Sequence, residues 1–429
     1  MSTVDTNLSH DELQRAAHEN LWMHFTRMSG FQGQDVPVIV RGDGCHLEDA
    51  NGKRYLDGLA GLFAVQIGYS HGEEIGEAAA AQMRQLPYYP TWGWAHPPAL
   101  ELSREVASLA PGDLNRLFFV SGGAEAVESA WKMARQYFTV RGERRWKVIA
   151  RRWAYHGTTM GALSINGIPG LKTPFQPLVP DVAHVWNTNR YARPAAETEA
   201  EFTAFLLEDL DQAIIQAGPE TVCMVIMEPV QNQGGSFVAP AGYWQGVREI
   251  CDRYGILLVA DEVITGFGRI GAWFGSERYD IRPDIVTCAK GLASGYAPIG
   301  AVIASERVYA PFNEGPGVFT HGFTYGGHPV ACAVALKNLE IMRRENVVAH
   351  VAANEDAFRR TLEQLLDLPI VGDVRGTGYF YAIELTKDRD SRTTLAMDER
   401  ERLFRGYLVP EMVRRGLICR AEERIRPII

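Results

Sequence analysis

Through the middle of the chain, short apolar runs alternate with longer stretches in which apolar residues return every three or four positions. The short runs are 116–120 (RLFFV), 147–150 (KVIA), 222–227 (VCMVIM), 256–260 (ILLVA), 285–288 (IVTC) and 299–303 (IGAVI). Runs this continuous suit strands that are covered on both faces. The longer stretches, 73–86, 98–109, 124–140, 202–217 and 241–254, carry the helical period. In 124–140 the apolar stripe is Val127, Ala130, Trp131, Ala134 and Phe138. This alternation predicts an α/β fold: a mostly parallel central sheet flanked by helices on both faces. The chain ends read differently. Ser9 and Glu12 fit a capping box ahead of a helix whose Leu13, Ala17, Leu21 and Phe25 share a face. Residues 45–58 read as a hairpin turning at Asn51-Gly52. After His328 a long helix, about 329–343, leads into a mixed pattern. The expected layout is a large α/β domain, residues 71–328, and a small α+β domain assembled from residues 1–70 and 329–429.

Composition narrows the function classes. Of 429 residues, 46% are hydrophobic and 22% charged, with a formal net charge of −9, an ordinary balance for a soluble globular protein. With no long basic run, nucleic acid is not an expected partner. No stretch approaches the ~18 apolar residues of a membrane span. The polar N-terminus lacks the apolar core of a signal peptide. Six cysteines (45, 223, 251, 288, 332 and 419) are scattered without a C-x-x-C pair. That pattern points to reduced thiols in the cytoplasm and to no zinc or other metal framework.

Open α/β sheets bind ligands beyond the carboxyl ends of their strands, so the residues that follow each apolar run carry the chemistry. The run 256–260 ends in Asp261 and Glu262, and a carboxylate at the end of a buried strand needs a cation. Ser121-Gly122-Gly123-Ala124 opens a helix; its unpaired N–H groups would hold a phosphate that the glycines let approach. Lys290 follows the next strand, 29 residues after Asp261, among Cys288, Ala289 and Gly291. Partial burial there would depress its pKa and make the amine a nucleophile toward a carbonyl. Taken singly, residues 121–124 are also an ordinary strand–helix turn and Lys290 a solvent-facing lysine. Residues 266–271 spell G-x-G-x-x-G, but they start five residues after Asp261 and open no helical pattern, so a shaped loop is the better reading than a dinucleotide site. Phosphate cradle, nucleophilic lysine and buried carboxylate together point to pyridoxal 5′-phosphate. Its aldehyde would meet Lys290, its phosphate residues 122–124, and its pyridine nitrogen would be the cation for Asp261.

The motifs SGGAEAVESAWKMAR, YHGTT, EPVQ, ADEVITGFGR, AKGLASGYAPIGAV and HGFTYGGHPVACAVAL resemble those of class III aminotransferases, pyridoxal-phosphate enzymes of fold type I. LDGLAGLFAVQIGYSH and HGFTYGGHP place the resemblance nearest the omega-amino acid and amine:pyruvate group. The resemblance implies a ping-pong transfer of an amino group from an amine or omega-amino acid to a keto acid, with pyruvate the expected acceptor. It makes Lys290 the Schiff-base lysine and proton shuttle, and Asp261 the partner of the pyridine nitrogen. It sets Val263 and Tyr155 on the two ring faces, with His156 and Gly157 beside Tyr155. Gly123 and Ala124 would contact the phosphate; the family often has Ser at the latter position, so one hydroxyl contact is lost. Thr324 would reach the phosphate of a neighbouring subunit, which implies a homodimer or larger assembly. Glu228 would lie near the reacting carbon. Arg420 would grip a substrate carboxylate, with Arg424 and Arg426 as nearby alternatives. Phe63, Tyr89 and Trp92 would line the substrate pocket. The family pattern continues beyond the position of Ile429, so the last part of the small domain is expected to be short. Two other readings stay open: an aminomutase or racemase on the same cofactor, and a nicotinamide enzyme built on 266–271.

Overall fold

The computed structural model describes residues 8–194, 196–315, 317–422 and 425–429. Its centre is a seven-stranded sheet of β1 (Leu114–Val120), β2 (Lys147–Arg151), β3 (Val182–Val185), β4 (Val222–Met227), β5 (Leu257–Asp261), β6 (Ile285–Cys288) and β7 (Gly300–Ser305). The strand order is β1-β7-β6-β5-β4-β2-β3. Neighbours from β6 to β3 pair in parallel, whereas β7 runs antiparallel to both β6 and β1. The exception has a local cause. No long helix lies between β6 and β7, only a short 3₁₀ turn at Lys290–Leu292. A parallel return would need a full crossover.

Alternate strand residues face opposite helical layers. Leu257 and Val259 join the cluster under helix Gly123–Val140, with Val127, Ala130, Trp131, Ala134 and Phe138. Leu258 turns the other way, toward Phe202, Leu206 and Leu210 of helix Glu199–Ala217 and Val247 of helix Tyr243–Tyr254. All six residues of β4 are buried, as its unbroken apolar run requires. The helices from residue 72 onward match the expected stretches to within three residues, whereas the N-terminal helix, His10–Glu19, stops at Asn20 and leaves Leu21 and Phe25 outside it. The strand missing from the sequence reading is β3. Three of its four residues are only partly buried and one is His184, because an edge strand needs no continuous apolar run. Among the described residues, no helix is long and apolar enough to cross a membrane.

The two chain ends meet. Strands Ile39–Asp43, His46–Asp49 and Arg54–Asp57 form a sheet with Leu417–Ile418, which pairs in parallel with Arg54–Asp57. A hairpin of Val371–Thr377 and Phe380–Leu385 stands nearby in sequence. Ile429 exchanges two backbone hydrogen bonds with Ile383 of that hairpin.

The two acids at the end of β5 have different tasks. Glu262 is fully buried and collects four hydrogen bonds: Thr265 Oγ1 and Gly275 N donate to one oxygen, Ser276 N and Oγ to the other. Burial pushes its pKa up against the pull of those donors. It ties down the loop that spells G-x-G-x-x-G, where Gly268 and Gly271 both have positive φ and only the four-residue helix Gly275–Arg278 follows. Glu262→Ala should therefore destabilise the cofactor-free protein by about 3 kcal/mol, because buried donors lose their acceptor. Denaturant unfolding measures this, and a change of less than about 1 kcal/mol would show that the loop holds itself.

Candidate active site

The loops beyond β1, β2, β4, β5 and β6 converge on one cavity of about 180 Å³. Gly123, Ala124, Tyr155, His156, Glu228, Asp261, Val263 and Lys290 all line it. These eight come from five separate strand–loop junctions, and the parallel order of β2, β4, β5 and β6 brings most of them to one end of the sheet.

Asp261 is 4% exposed. Its Oδ1 accepts from Val263 N and Thr287 Oγ1, each at 3.1 Å. Its Oδ2 lies 2.6 Å from His156 Nδ1. Burial opposes a charge on His156, but the hydrogen bond to Asp261, helped by the charges of Glu228 and Asp261, raises its pKa above the ordinary value. The carboxylate can only accept, so His156 donates from Nδ1 to Asp261. Asn166 fixes the turn by accepting from His156 N at 2.6 Å and donating to Gly157 O at 2.8 Å. The sequence reading set His156 beside Tyr155 but missed this pairing, since nothing in the spacing of residues 156 and 261 signals it.

Glu228 is also buried, and burial raises its pKa against the opposing charges of His156 and Arg151. Its Oε1 accepts from Tyr155 N at 3.4 Å. The guanidinium of the wholly buried Arg151 lies 3.6 Å from Oε2 and donates to the Glu228 carbonyl. Oε2 has no hydrogen-bond partner among the described residues.

Helix Gly123–Val140 starts at Gly122 with no side-chain cap, which leaves its first N–H groups open to an anion. The backbone there is crowded in a way that only glycine allows. A Cβ on Gly157, at φ +120°, would fall 2.6 Å from the Ala124 Cβ, and one on Gly123 would fall 2.8 Å from Val263 Cγ1. Uncapped amides, an acid–histidine pair and an unpartnered carboxylate oxygen on one cavity fit a ligand with a phosphate and a basic ring nitrogen.

Lys290 opens the 3₁₀ turn after β6 with φ +35°, a backbone conformation that is strained for a lysine. Burial lowers its pKa to about 8; Asp261 and Glu228 oppose the shift, and the cations Arg420 and Arg269 add to it. Arg269, from the glycine-rich loop, is itself held down to about 10 by burial, with Asp57 opposing.

The other expected residues sit elsewhere. Thr324 is exposed and outside the cavity, and its carbonyl accepts from Tyr88 OH at 2.7 Å. Tyr89 is 43% and Trp92 62% exposed. Trp92 donates to Phe323 O at 3.4 Å, so residues 88–92 and 323–326 form one surface apart from the cavity. Phe63 packs edge-on against Phe380, ring centroids 5.8 Å apart, with the Arg420 guanidinium 6.0 Å over its ring. Arg420 donates through Nη2 to Gln233 Oε1 and, at 3.3 Å, to Glu422 Oε2. Gln233 and Glu422 carried no sequence signal. Arg426 pairs with Glu384, and Arg424 lies outside the described residues.

A mostly parallel α/β sheet with a lysine, an acid–histidine pair and an anion-binding helix start at its carboxyl edge defines a pyridoxal-phosphate enzyme of fold type I. Comparison with known proteins agrees. Residues 31–423 match the family model of class-III aminotransferases. The chain is 53% identical over 418 residues to a probable aminotransferase of Mycobacterium tuberculosis, covering 97% of this chain and 89% of that one. It is 37% identical over 421 residues to a putrescine–pyruvate aminotransferase of Pseudomonas aeruginosa, covering 96% and 92%. An (S)-enantioselective omega-transaminase from Thermomicrobium roseum superposes with a TM-score of 0.93 at 40% identity, covering 98% and 93%. The chain belongs to the class-III aminotransferases, and its cofactor is pyridoxal phosphate.

The depressed pKa of Lys290 makes a pH signature. Only the neutral amine attacks an aldehyde, and an amine with a pKa of about 8 is mostly protonated below that pH. Borohydride trapping of pyridoxal phosphate on the cofactor-free protein should accelerate about tenfold per pH unit below 8 and level off above it. Peptide mapping should place the label on Lys290. A flat profile, or a label on another lysine, would contradict the assignment.

Proposed function

We propose that this aminotransferase takes its amino group from an amine or omega-amino acid and passes it to pyruvate. The observation that carries this reading is the Arg420–Phe63 pair near Lys290. A guanidinium is the natural grip for a keto acid's carboxylate, and an aromatic face beneath it suits the apolar body of an amine. The pyruvate-using relative from Pseudomonas aeruginosa supports the choice of acceptor.

Each residue of the cavity has a task in this reading. Pyridoxal phosphate, when bound, supplies a ring that draws electrons from the amine-bearing carbon. Asp261 would hold the proton on the ring nitrogen, and His156 and Thr287 fix that carboxylate. Gly123 and Ala124 would offer backbone N–H groups to the phosphate, while Tyr155 and Val263 would confine the ring. Lys290 would hold the aldehyde end, and its lowered pKa suits its amine to accept a proton from the donor's amine-bearing carbon near neutral pH. Glu228, whose pKa burial raises, lines the cavity beside Asp261 and Lys290.

The active unit in this reading is a homodimer in the cytoplasm. Exposed Thr324 and the aromatic surface of Tyr88, Tyr89, Trp92 and Tyr325 support it; residues meant for a partner's site would look so in one chain. Tyr89 and Trp92 then help to line the neighbour's substrate pocket. Residues 1–70 and 329–429 act as the small domain, a division supported by the parallel pairing of Leu417–Ile418 with Arg54–Asp57.

The test is a panel of amine donors with pyruvate, following alanine. Terminal amines and omega-amino acids should yield alanine. Turnover with 2-oxoglutarate but not with pyruvate would overturn the acceptor. Asp261→Asn should leave the melting temperature close to that of the parent yet slow single-turnover proton transfer by about 10²- to 10³-fold, since a preorganised charge partner is lost. An unchanged single-turnover rate would remove Asp261 from the ring nitrogen.

A further inference from the structure

We propose that Gln233 and Glu422 form a latch that competes with the substrate's carboxylate for Arg420. The balance between latch and substrate then decides how strongly the enzyme favours keto acids over neutral amines. This rests on the reading of Arg420 as the carboxylate grip.

Three side chains close a triangle. Gln233 Nε2 donates to Glu422 Oε2 at 2.9 Å. Gln233 Oε1 accepts from Arg420 Nη2, and the same Nη2 lies 3.3 Å from Glu422 Oε2. Gln233 and Glu422 are each 5% exposed, whereas the Arg420 side chain is 33% exposed. The arginine therefore reaches from open space into a buried acceptor pair.

Competition follows from guanidinium geometry. A carboxylate is gripped bidentately through Nη1 with Nη2, or through Nε with Nη2. Both arrangements require Nη2. Nη2 donates to both Gln233 and Glu422, and no described hydrogen bond engages Nε or Nη1. The enzyme's own carboxylate thus occupies the atom that the substrate's carboxylate needs. Phe63, 6.0 Å from the guanidinium carbon, supports its face and leaves its edge open.

Arg420 is also the part that can move. Arg375 donates to the carbonyls of Gly234 and Gly235 beside Gln233. Glu422 exchanges two backbone hydrogen bonds with Ile428. Both acceptors sit on tied loops, while Arg420 is a long arm just past Leu417–Ile418. Glu228 faces Arg151 and accepts from Tyr155 N, and no described hydrogen bond or ion pair joins it to Arg420.

The experiment measures binding of propanoate, an unreactive small carboxylate, to the cofactor-loaded enzyme by calorimetry, and the KM for pyruvate and for a neutral amine donor. Gln233→Met keeps the length and removes both polar atoms. It should tighten propanoate by about tenfold and lower the KM for pyruvate in step, the scale of one charge-assisted hydrogen bond. The KM for the neutral amine should stay within about twofold. Glu422→Gln, which keeps the shape and removes the competing charge, should act in the same direction. In an Arg420→Ala background, Gln233→Met should have no effect on propanoate. Weaker propanoate binding in both single variants would mean that the pair positions Arg420 instead of competing for it, and the latch would fall. An equal shift in the Arg420→Ala background would mark Gln233 as merely structural. If Arg420→Ala itself leaves propanoate binding unchanged, the carboxylate grip fails and the latch with it. If Arg420→Ala weakens binding and Gln233→Met changes nothing, the latch alone fails.

Discussion

A carboxylate cannot stand at the end of a buried strand without partners, and the way Asp261 is satisfied organises the whole site. Three groups hold it: a backbone N–H two residues on, a hydroxyl from the adjacent strand β6, and the ring of His156 from beyond β2. Each comes from a different element, so the carboxylate is oriented only once the sheet is assembled. A contact this deep gives little net stability, because desolvation of the two polar groups offsets their attraction. Its value lies in the fixed direction of one carboxylate.

Around that pair the charges are graded. Glu228 carries a raised pKa, and Lys290 a lowered one, for the same reason: burial disfavours whichever form is charged. Two arginines, Arg269 and Arg420, press Lys290 further toward the neutral amine while Asp261 and Glu228 resist. An amine poised near neutrality can both attack a carbonyl and carry a proton. The strained backbone at Lys290 belongs to the same design, since the tight turn between β6 and β7 leaves that side chain in the cavity.

The second acid of the strand shows how the site is kept in place. Glu262 spends all its acceptor capacity on the loop that leads away from β5. That loop carries Val263 into the cavity and Arg269 within electrostatic reach of Lys290. One carboxylate therefore serves the chemistry and its neighbour serves the scaffold, although the two are adjacent and both buried.

The sequence by itself determined the sheet and the residues at its functional edge. Five of the seven strands of the central sheet announce themselves because both faces are covered, and the edge strand β1, though partly exposed, keeps the apolar run 117–120; β3 does not, because an edge strand tolerates His184 and partial exposure. Lys290, Asp261 and the glycines at 122–123 were legible because each follows a strand in a parallel sheet, and parallel strands bring their ends together. The antiparallel β7 was not legible, since a strand's direction leaves no mark on its pattern. Nor were the partnerships. His156 with Asp261, Arg151 with Glu228, and Gln233 with Arg420 join residues 77 to 187 positions apart. Hydrogen bonds act over about 3 Å and carry no periodicity along the chain. Only the folded arrangement of loops decides which polar group meets which, because that choice depends on where each backbone ends in space.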